Sequence, residues 1–281
     1  MAERIKKDFT TERDKARAIY SWIALNVDYD VKTFLDPPTP KSVDYKNQAE
    51  RDKKIQLMHE EVMRKAFRTR KAVCEGYSLL YAHLAALSGL RCQVVNGDAR
   101  TVVQDIGRRN YLMNHAWNKV EVDGEWILVD ATWGGGSYDH RRKAFVKKFT
   151  PIYFDADLKY FNAMHYPEAS MYKGNTGNKS EFLNAPLIYD SFIEEQAEVL
   201  MPYSGVIMAN EGDKITFKIK NIDRLDNICY LDKKEQRVEI ENPKEEDGSL
   251  EFQVTYSKKM GRFISFYLFG KNFAAFKIIP K

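Results

Sequence analysis

Residues 114–132 read NHAWNKVEVDGEWILVDAT, which is the most regular pattern in the chain. Apolar residues alternate with polar ones on both sides of Asp123-Gly124, a dipeptide that favours the tight turn of a β-hairpin. A two-residue turn sets the register, so that Val122 lies opposite Glu125. The stretch therefore predicts an antiparallel hairpin from residue 114 to residue 132.

The same register collects polar and aromatic side chains on one face of the hairpin. His115 and Trp117 share this face with Asp130, and His115 and Asp130 are diagonal neighbours on it. An imidazole that takes and returns a proton needs a partner that fixes its far nitrogen, and a carboxylate can do this. The pattern predicts His115 as base and acid, Asp130 as the residue that orients it, and Trp117 as a candidate for substrate contact.

A cysteine lies upstream, at the start of a predicted helix. Cys74 is followed by Glu75-Gly76 and then by apolar residues at helical spacing up to Leu87. A helix N-terminus, nearby cations such as Arg70 and a histidine partner all favour a reactive thiolate. A nucleophile, a base and an orienting carboxylate in one chain indicate acyl transfer.

The other two cysteines and the possible metal ligands do not indicate a second functional site. Cys92 and Cys229 are expected to be small apolar core residues. Zinc would need two further ligands besides Cys74 and His115, and the sequence offers no convincing pair. Calcium is not expected because no loop is densely acidic. We therefore expect no metal and no cofactor.

Composition sets the class of protein. The chain has 281 residues, of which 44% are apolar and 30% charged, as in a folded globular protein. Its net charge of +4 divides into +7 for residues 1–150 and −3 for residues 151–281, without the dense basic stripe of nucleic-acid-binding proteins. No apolar run is long enough to predict a membrane span. The partner expected is a protein or peptide substrate, and the oligomeric state is left open.

The start of the chain, MAERIKKDFT, lacks the hydrophobic segment of a secretory signal. A trimmed secreted or periplasmic protein would look the same, so the sequence leaves the compartment open.

Periodicity along the chain predicts two domains. Residues 11–26 have the pattern of an amphipathic helix, and the glycine-rich and basic residues 134–148 are expected to form a loop. From about Asp190 onward, short alternating segments separated by turn residues predict strands of a small immunoglobulin-like β-sandwich. We expect a catalytic domain at 1–190 and a sandwich at 191–281.

Three motifs follow one another in order: KARAIYSWI from Lys15, AVCEGY from Ala72, and HAWN from His115 with WILVDATW from Trp126. Together they resemble the transglutaminase-like superfamily, in the branch related to kyphoscoliosis peptidase, over roughly residues 10–195. The resemblance implies an α+β, papain-like fold with helices packed on an antiparallel sheet. It also implies Cys74 as nucleophile, His115 as base and acid, and Asp130 as orienter. Ala72 departs from the family pattern, in which a glycine is common.

The function that these residues predict is cysteine-dependent acyl transfer on peptide or side-chain amides, through a thioester at Cys74. Hydrolysis is favoured over transfer to an amine. The backbone N–H of Cys74 is one expected oxyanion donor, and Tyr29 is the candidate for the second. The alternative is a non-catalytic scaffold that binds a protein or glycan and retains the triad in form only.

Overall fold

A computed structural model of the chain describes residues 1–39, 44–139, 141–168, 178–222, 228–232, 236–240 and 243–281. The described residues group into two compact units that alternate along the sequence. The first unit takes residues 1–97, 114–158 and Glu168, and the second takes residues 98–113, 159–167 and 178–281. The division at residue 190 that the sequence suggested stays a prediction.

The first unit combines helices with short strands. Its helices are α1 (Ala2–Asp8), α2 (Glu12–Asn26), α3 (Val31–Leu35), α4 (Gln48–Thr69), α5 (Cys74–Leu87) and α6 (Ala131–Gly135). Its strands are β1 (Asp28–Tyr29), β2 (Lys71–Ala72), β3 (Cys92–Ala99, which continues into the second unit), β4 (His115–Val122), β5 (Glu125–Val129), β6 (Gly136–Asp139) and β7 (Ala144–Lys147). The predicted amphipathic helix is α2, whose N-cap Thr11 accepts a hydrogen bond from the N–H of Asp14.

The predicted hairpin is formed by β4 and β5, in the predicted register. Val122 lies opposite Glu125, and both turn residues, Asp123 and Gly124, have positive φ angles of 54° and 87°. Strand β3 adds antiparallel to the other side of β4, and α5 packs against β4. This arrangement of helices on an antiparallel sheet confirms the predicted α+β core.

The segment after the hairpin is where the structure differs from the prediction. Residues 134–148 do not form a continuous loop, because β6 and β7 pair antiparallel and place Tyr138 opposite Phe145. The sequence favoured a loop because of its glycines and its basic run. The strands themselves are only four residues long, so the alternation of Ser137 with Tyr138 and of Phe145 with Val146 was too short to predict them.

The second unit is rich in strands. Its helices are α7 (Leu158–Met164, whose first residue belongs to the first unit), α8 (Lys179–Asn184) and α9 (Asp190–Glu194). Its strands are β8 (His165–Pro167), β9 (Leu187–Ile188), β10 (Glu198–Met201), β11 (Val206–Met208), β12 (Lys214–Lys220), β13 (Ile228–Leu231), β14 (Arg237–Glu239), β15 (Lys244–Glu246), β16 (Ser249–Thr255), β17 (Phe263–Leu268) and β18 (Lys271–Ile279).

Two sheets of this unit enclose a phenylalanine core. One sheet has the strand order β10-β12-β16-β15, and the other has β11-β18-β17-β13-β14 with β9 beside β18. Phe217 of the first sheet lies 4.7 Å from Phe266 and 5.1 Å from Phe276 of the second, measured between ring centroids. All three side chains are fully buried. The predicted C-terminal β-sandwich is confirmed.

Among the helices of the described residues, none combines the length and the apolar character that a bilayer-spanning segment requires.

Candidate active site

Cys74 is the first residue of α5, and its position there depends on the residues just before it. Val73 occupies the N-cap without a side-chain hydrogen bond, so the positive end of the helix is left open next to the partly exposed thiol. Residue 76 must be glycine, because a Cβ atom there would lie 2.7 Å from the Cβ of Ala72. The methyl group of Ala72, the departure from the family pattern, is buried against this glycine.

The imidazole of His115 is held by Asp130. Nε2 of His115 lies 2.7 Å from Oδ2 of Asp130, whose side chain is fully buried. The other carboxylate oxygen, Oδ1, accepts the N–H groups of Thr132 at 2.9 Å and Trp133 at 3.1 Å. Asp130 was predicted to lie in the second strand of the hairpin, but strand β5 ends at Val129. Asp130 is the next residue and forms the N-cap of α6. Both of its oxygens are engaged, so its orientation is fixed.

Charge on the imidazole is favoured despite its burial. Burial by itself lowers the pKa of His115, but the charge and hydrogen bond of Asp130, together with the hydrogen bond and charge of Cys74, outweigh it. The pKa of His115 is raised to about 10. Because Nε2 contacts Asp130, Nδ1 is the ring nitrogen that remains for the thiol. The structure thus pairs His115 with Asp130 and places Cys74 close enough to the imidazole to raise its pKa.

Two indole rings flank the His115 ring. Trp117 stacks on it with a centroid distance of 6.0 Å, and Trp133 with a distance of 5.3 Å. Trp117 is only 2% exposed, so the contact seen in the structure is with the imidazole. Its role in substrate contact stays a prediction. Trp133 lies just beyond the predicted hairpin, and its stacking on the ring could not be read from the sequence.

Tyr29 lies close to the triad because of a short parallel pairing. Strand β1 pairs with β2, which places Tyr29 opposite Ala72, two residues before Cys74. Burial raises the pKa of Tyr29, and the charges of Cys74 and Asp130 raise it further, so its hydroxyl group keeps its proton as a hydrogen-bond donor. The role of Tyr29 as an oxyanion donor stays a prediction that this position supports.

Asn118 is a residue of the site that sequence reasoning missed. It is 1% exposed on β4, and its Nδ2 donates to the carbonyl oxygen of Ser78 at 3.0 Å. The hydroxyl group of Ser78 donates in turn to the carbonyl oxygen of Cys74, also at 3.0 Å. These two bonds connect the strand that carries His115 to the first turn of the helix that carries Cys74. The sequence feature that could have identified Asn118 is its position as a polar residue on the otherwise apolar face of β4.

Comparison with known proteins gives one family and several relatives. Residues 1–131 match the family model described as the transglutaminase-like superfamily. Human kyphoscoliosis peptidase is 27% identical over 63% of this chain and 26% of its own length. The LIM and transglutaminase domain protein ltd-1 of Caenorhabditis elegans is 23% identical over 79% of this chain and 25% of its own length. The matched region thus spans about a quarter of these curated relatives.

A solved structure titled as the crystal structure of a TGase is 21% identical to the chain. It aligns with a TM-score of 0.34, over 54% of this chain and 34% of that one.

Proposed function

Because residues 1–131 belong to the transglutaminase-like superfamily, we propose that this protein catalyses cysteine-dependent acyl transfer through a thioester at Cys74. The observation that carries the proposal is the 2.7 Å contact of His115 Nε2 with Asp130, in a ring that is close enough to Cys74 for this residue to raise its pKa. A thiol beside a charged imidazole at a helix N-terminus has the surroundings of a nucleophile.

The first half-reaction forms the acyl-enzyme. The Cys74 proton passes to Nδ1 of His115, and the sulfur attacks the carbonyl carbon of an amide, whose π electrons move to the oxygen. When the carbonyl reforms, the C–N bond breaks and the imidazolium protonates the departing amine. Asp130 holds the ring in place and favours its charged form throughout. The products of this step are a thioester at Cys74 and a free amine.

The oxygen of the tetrahedral intermediate needs hydrogen-bond donors. The backbone N–H of Cys74 lies in the first turn of α5, where N–H groups have no partner within the helix. The hydroxyl group of Tyr29 is the proposed second donor, since it is close enough to Cys74 and Asp130 for both charges to raise its pKa.

The second half-reaction returns the free enzyme. His115 takes a proton from the acceptor, the acceptor attacks the thioester carbon, and the S–C bond breaks as the sulfur regains a proton from the imidazolium. Water as acceptor gives hydrolysis, and an amine gives transamidation. We favour hydrolysis of peptide or side-chain amides, in line with the peptidase in the name of the human relative, of which this chain matches only a quarter.

Trapping the acyl-enzyme tests the proposal. The protein is mixed with a panel of N-acetyl peptide 4-nitroanilides, quenched in acid and mapped by mass spectrometry. We expect an acyl group on Cys74 that neutral hydroxylamine removes. In the Cys74→Ala variant the adduct should be absent and release of 4-nitroaniline at least about 10³-fold slower. The Cys229→Ala variant, which changes a buried cysteine of the second unit, serves as control.

Two results would contradict the proposal. One is release of 4-nitroaniline at an undiminished rate in the Cys74→Ala variant. The other is a Cys74→Ala variant that retains every biochemical effect of the wild type, which would favour a binding scaffold instead. Repeating the reaction with methylamine present and comparing the acid product with the methylamide product measures the balance between hydrolysis and transfer.

A further inference from the structure

Four aromatic side chains form a continuous surface beside the candidate active site. This aromatic wall consists of Tyr29, Phe34 of α3, Tyr138 of β6 and Phe145 of β7. Phe34 lies 5.5 Å from Tyr29 and 5.7 Å from Tyr138, and Phe145 lies 6.1 Å from Tyr29, all between ring centroids. Since Tyr29 lies opposite Ala72, two residues before Cys74, the wall begins close to the nucleophile in the fold and continues through the other three rings.

The wall is open to solvent at its outer end. Phe34 is 46% exposed although it contacts two other rings, and Tyr138 and Phe145 are half-buried. Exposed aromatic surface next to polar residues is typical of a binding site, because leaving it in water costs free energy.

The backbone around the wall is fixed by hydrogen bonds, so its shape does not depend on a ligand. The N–H of Asp30 donates to the carbonyl of Ala72, and the Asp30 side chain caps α3 through the N–H and hydroxyl groups of Thr33. On the other side, Nζ of Lys147 donates to the carbonyl of Val27 at 2.6 Å and to Asp28 at 2.9 Å. Both edges of the wall are thereby tied to the strands that precede Cys74.

The charged residues near the wall indicate which charge the ligand carries. The turn that joins β6 to β7 exposes Arg141, Arg142 and Lys143, and Asp139 pairs with Arg142. The exposed tip of this hairpin is therefore net positive and lies on the same hairpin as Tyr138 and Phe145. A peptide with an acidic group beside a large apolar side chain is complementary to both features.

We propose that the aromatic wall binds a large apolar side chain of the substrate next to the carbonyl that Cys74 attacks, and that the basic hairpin tip favours an acidic group beyond it. This inference rests on the proposed function for its position, because Cys74 defines which carbonyl is attacked. Phe34 and Tyr138 are then residues that determine specificity, and the preferred substrates are peptides with phenylalanine or leucine, not alanine or lysine, at that position.

Two peptidyl chloromethyl ketones, acetyl-Gly-Phe and acetyl-Gly-Ala, test the apolar preference. In both, the Cys74 sulfur forms an S–C bond, chloride leaves, and the thiol proton passes to the solvent. The wild type is expected to react about tenfold faster with the Phe probe. Phe34→Ala and Tyr138→Ala should each reduce this ratio to about threefold, because half of the ring contact is lost. Trp126→Ala, which removes an exposed aromatic ring at the far end of β5, should leave it at about tenfold.

The ratio of the two probes cancels any change in thiol reactivity, and alkylation by iodoacetamide, which has no side chain, measures that reactivity separately. A Phe-to-Ala ratio near one in the wild type would overturn the inference even if iodoacetamide labels Cys74 rapidly, and the proposed function would stand. Slow labelling of Cys74 by iodoacetamide would count against the proposed function. The ratio of the Phe-probe rate to the Ala-probe rate would still show whether the aromatic wall binds an apolar side chain.

The charge preference is tested with the Phe probe in acetyl-capped and succinyl-capped forms. We expect the acidic succinyl form to react about threefold faster at low ionic strength and the difference to vanish in about 0.5 M NaCl. The doubly substituted Arg141→Glu, Lys143→Glu variant should reverse the order. Equal rates for both caps at low salt would overturn this part of the proposal.

Discussion

Replacing Asp130 with asparagine is expected to lower the rate of acyl transfer about 10³-fold or more while the fold is retained. Asparagine can still accept the N–H groups of Thr132 and Trp133 with its amide oxygen, so the cap of α6 is kept. Its NH₂ group would then face Nε2 of His115 and donate to it. The ring proton would be forced onto Nδ1, where the imidazole cannot accept the proton of Cys74.

This effect is measured as the rate of 4-nitroaniline release and of Cys74 acylation, with the melting temperature as a check on folding. Asp130→Ala should lose a comparable rate and in addition melt earlier, since it loses the cap as well as the charge. Asp123→Asn, an exposed change at the turn of the same hairpin, is the matched control and should keep the wild-type rate. An Asp130→Asn variant with more than about a tenth of the wild-type rate would show that tautomer control by Asp130 does not matter.

The Arg100→Met variant is expected to lose about 3 kcal/mol of unfolding free energy, the largest stability effect that we anticipate. Arg100 is fully buried in the second unit, where its guanidinium donates to the carbonyl oxygens of Ala163, Ala185 and Pro186. Burial lowers the pKa of Arg100 to about 10, which leaves it charged at neutral pH. Methionine fills a similar volume, but it leaves three buried carbonyl groups without these donors.

Thermal unfolding followed by circular dichroism measures this loss, and the melting temperature should fall by about 6–12 °C. Arg100→Lys should destabilise to a similar extent, because an ammonium group cannot reproduce the planar fork that reaches three acceptors. Arg262→Met, at an exposed position of the same unit, should leave the melting temperature within about 1 °C of the wild type. A similarly small shift for Arg100→Met would contradict the assigned role of the guanidinium.

The sequence predicted the hairpin and the triad because each rests on local rules. An Asp-Gly turn between alternating segments fixes the register, and the register brings His115 and Asp130 together. Cys74 could be placed at a helix start because the apolar spacing after it changes to a period of about 3.6. The sandwich strands, with their alternating phenylalanines, were predictable for the same reason.

The features that could not be predicted depend on contacts distant in sequence. Arg100 lies in a polar, basic stretch that suggests a loop, and its burial is decided by carbonyl groups more than 60 residues away. Asp130 could be placed next to His115, but its second role as a helix cap depends on the strand ending at Val129. Phe34 and Tyr138 come together only because α3 and the β6–β7 hairpin meet beside Tyr29.

The pH dependence of Cys74 alkylation by iodoacetamide tests the central claim, that His115, held by Asp130, activates the thiol. Because the pKa of His115 is raised to about 10, the ring stays charged from mildly acidic to neutral pH, and a cationic imidazole next to a cysteine is the general setting of a reactive thiol. At pH 6 we expect Cys74 to react at least about tenfold faster than N-acetylcysteine, and His115→Ala to remove this advantage. Equal rates for Cys74 and N-acetylcysteine at pH 6, or a rate unchanged by His115→Ala, would contradict the account.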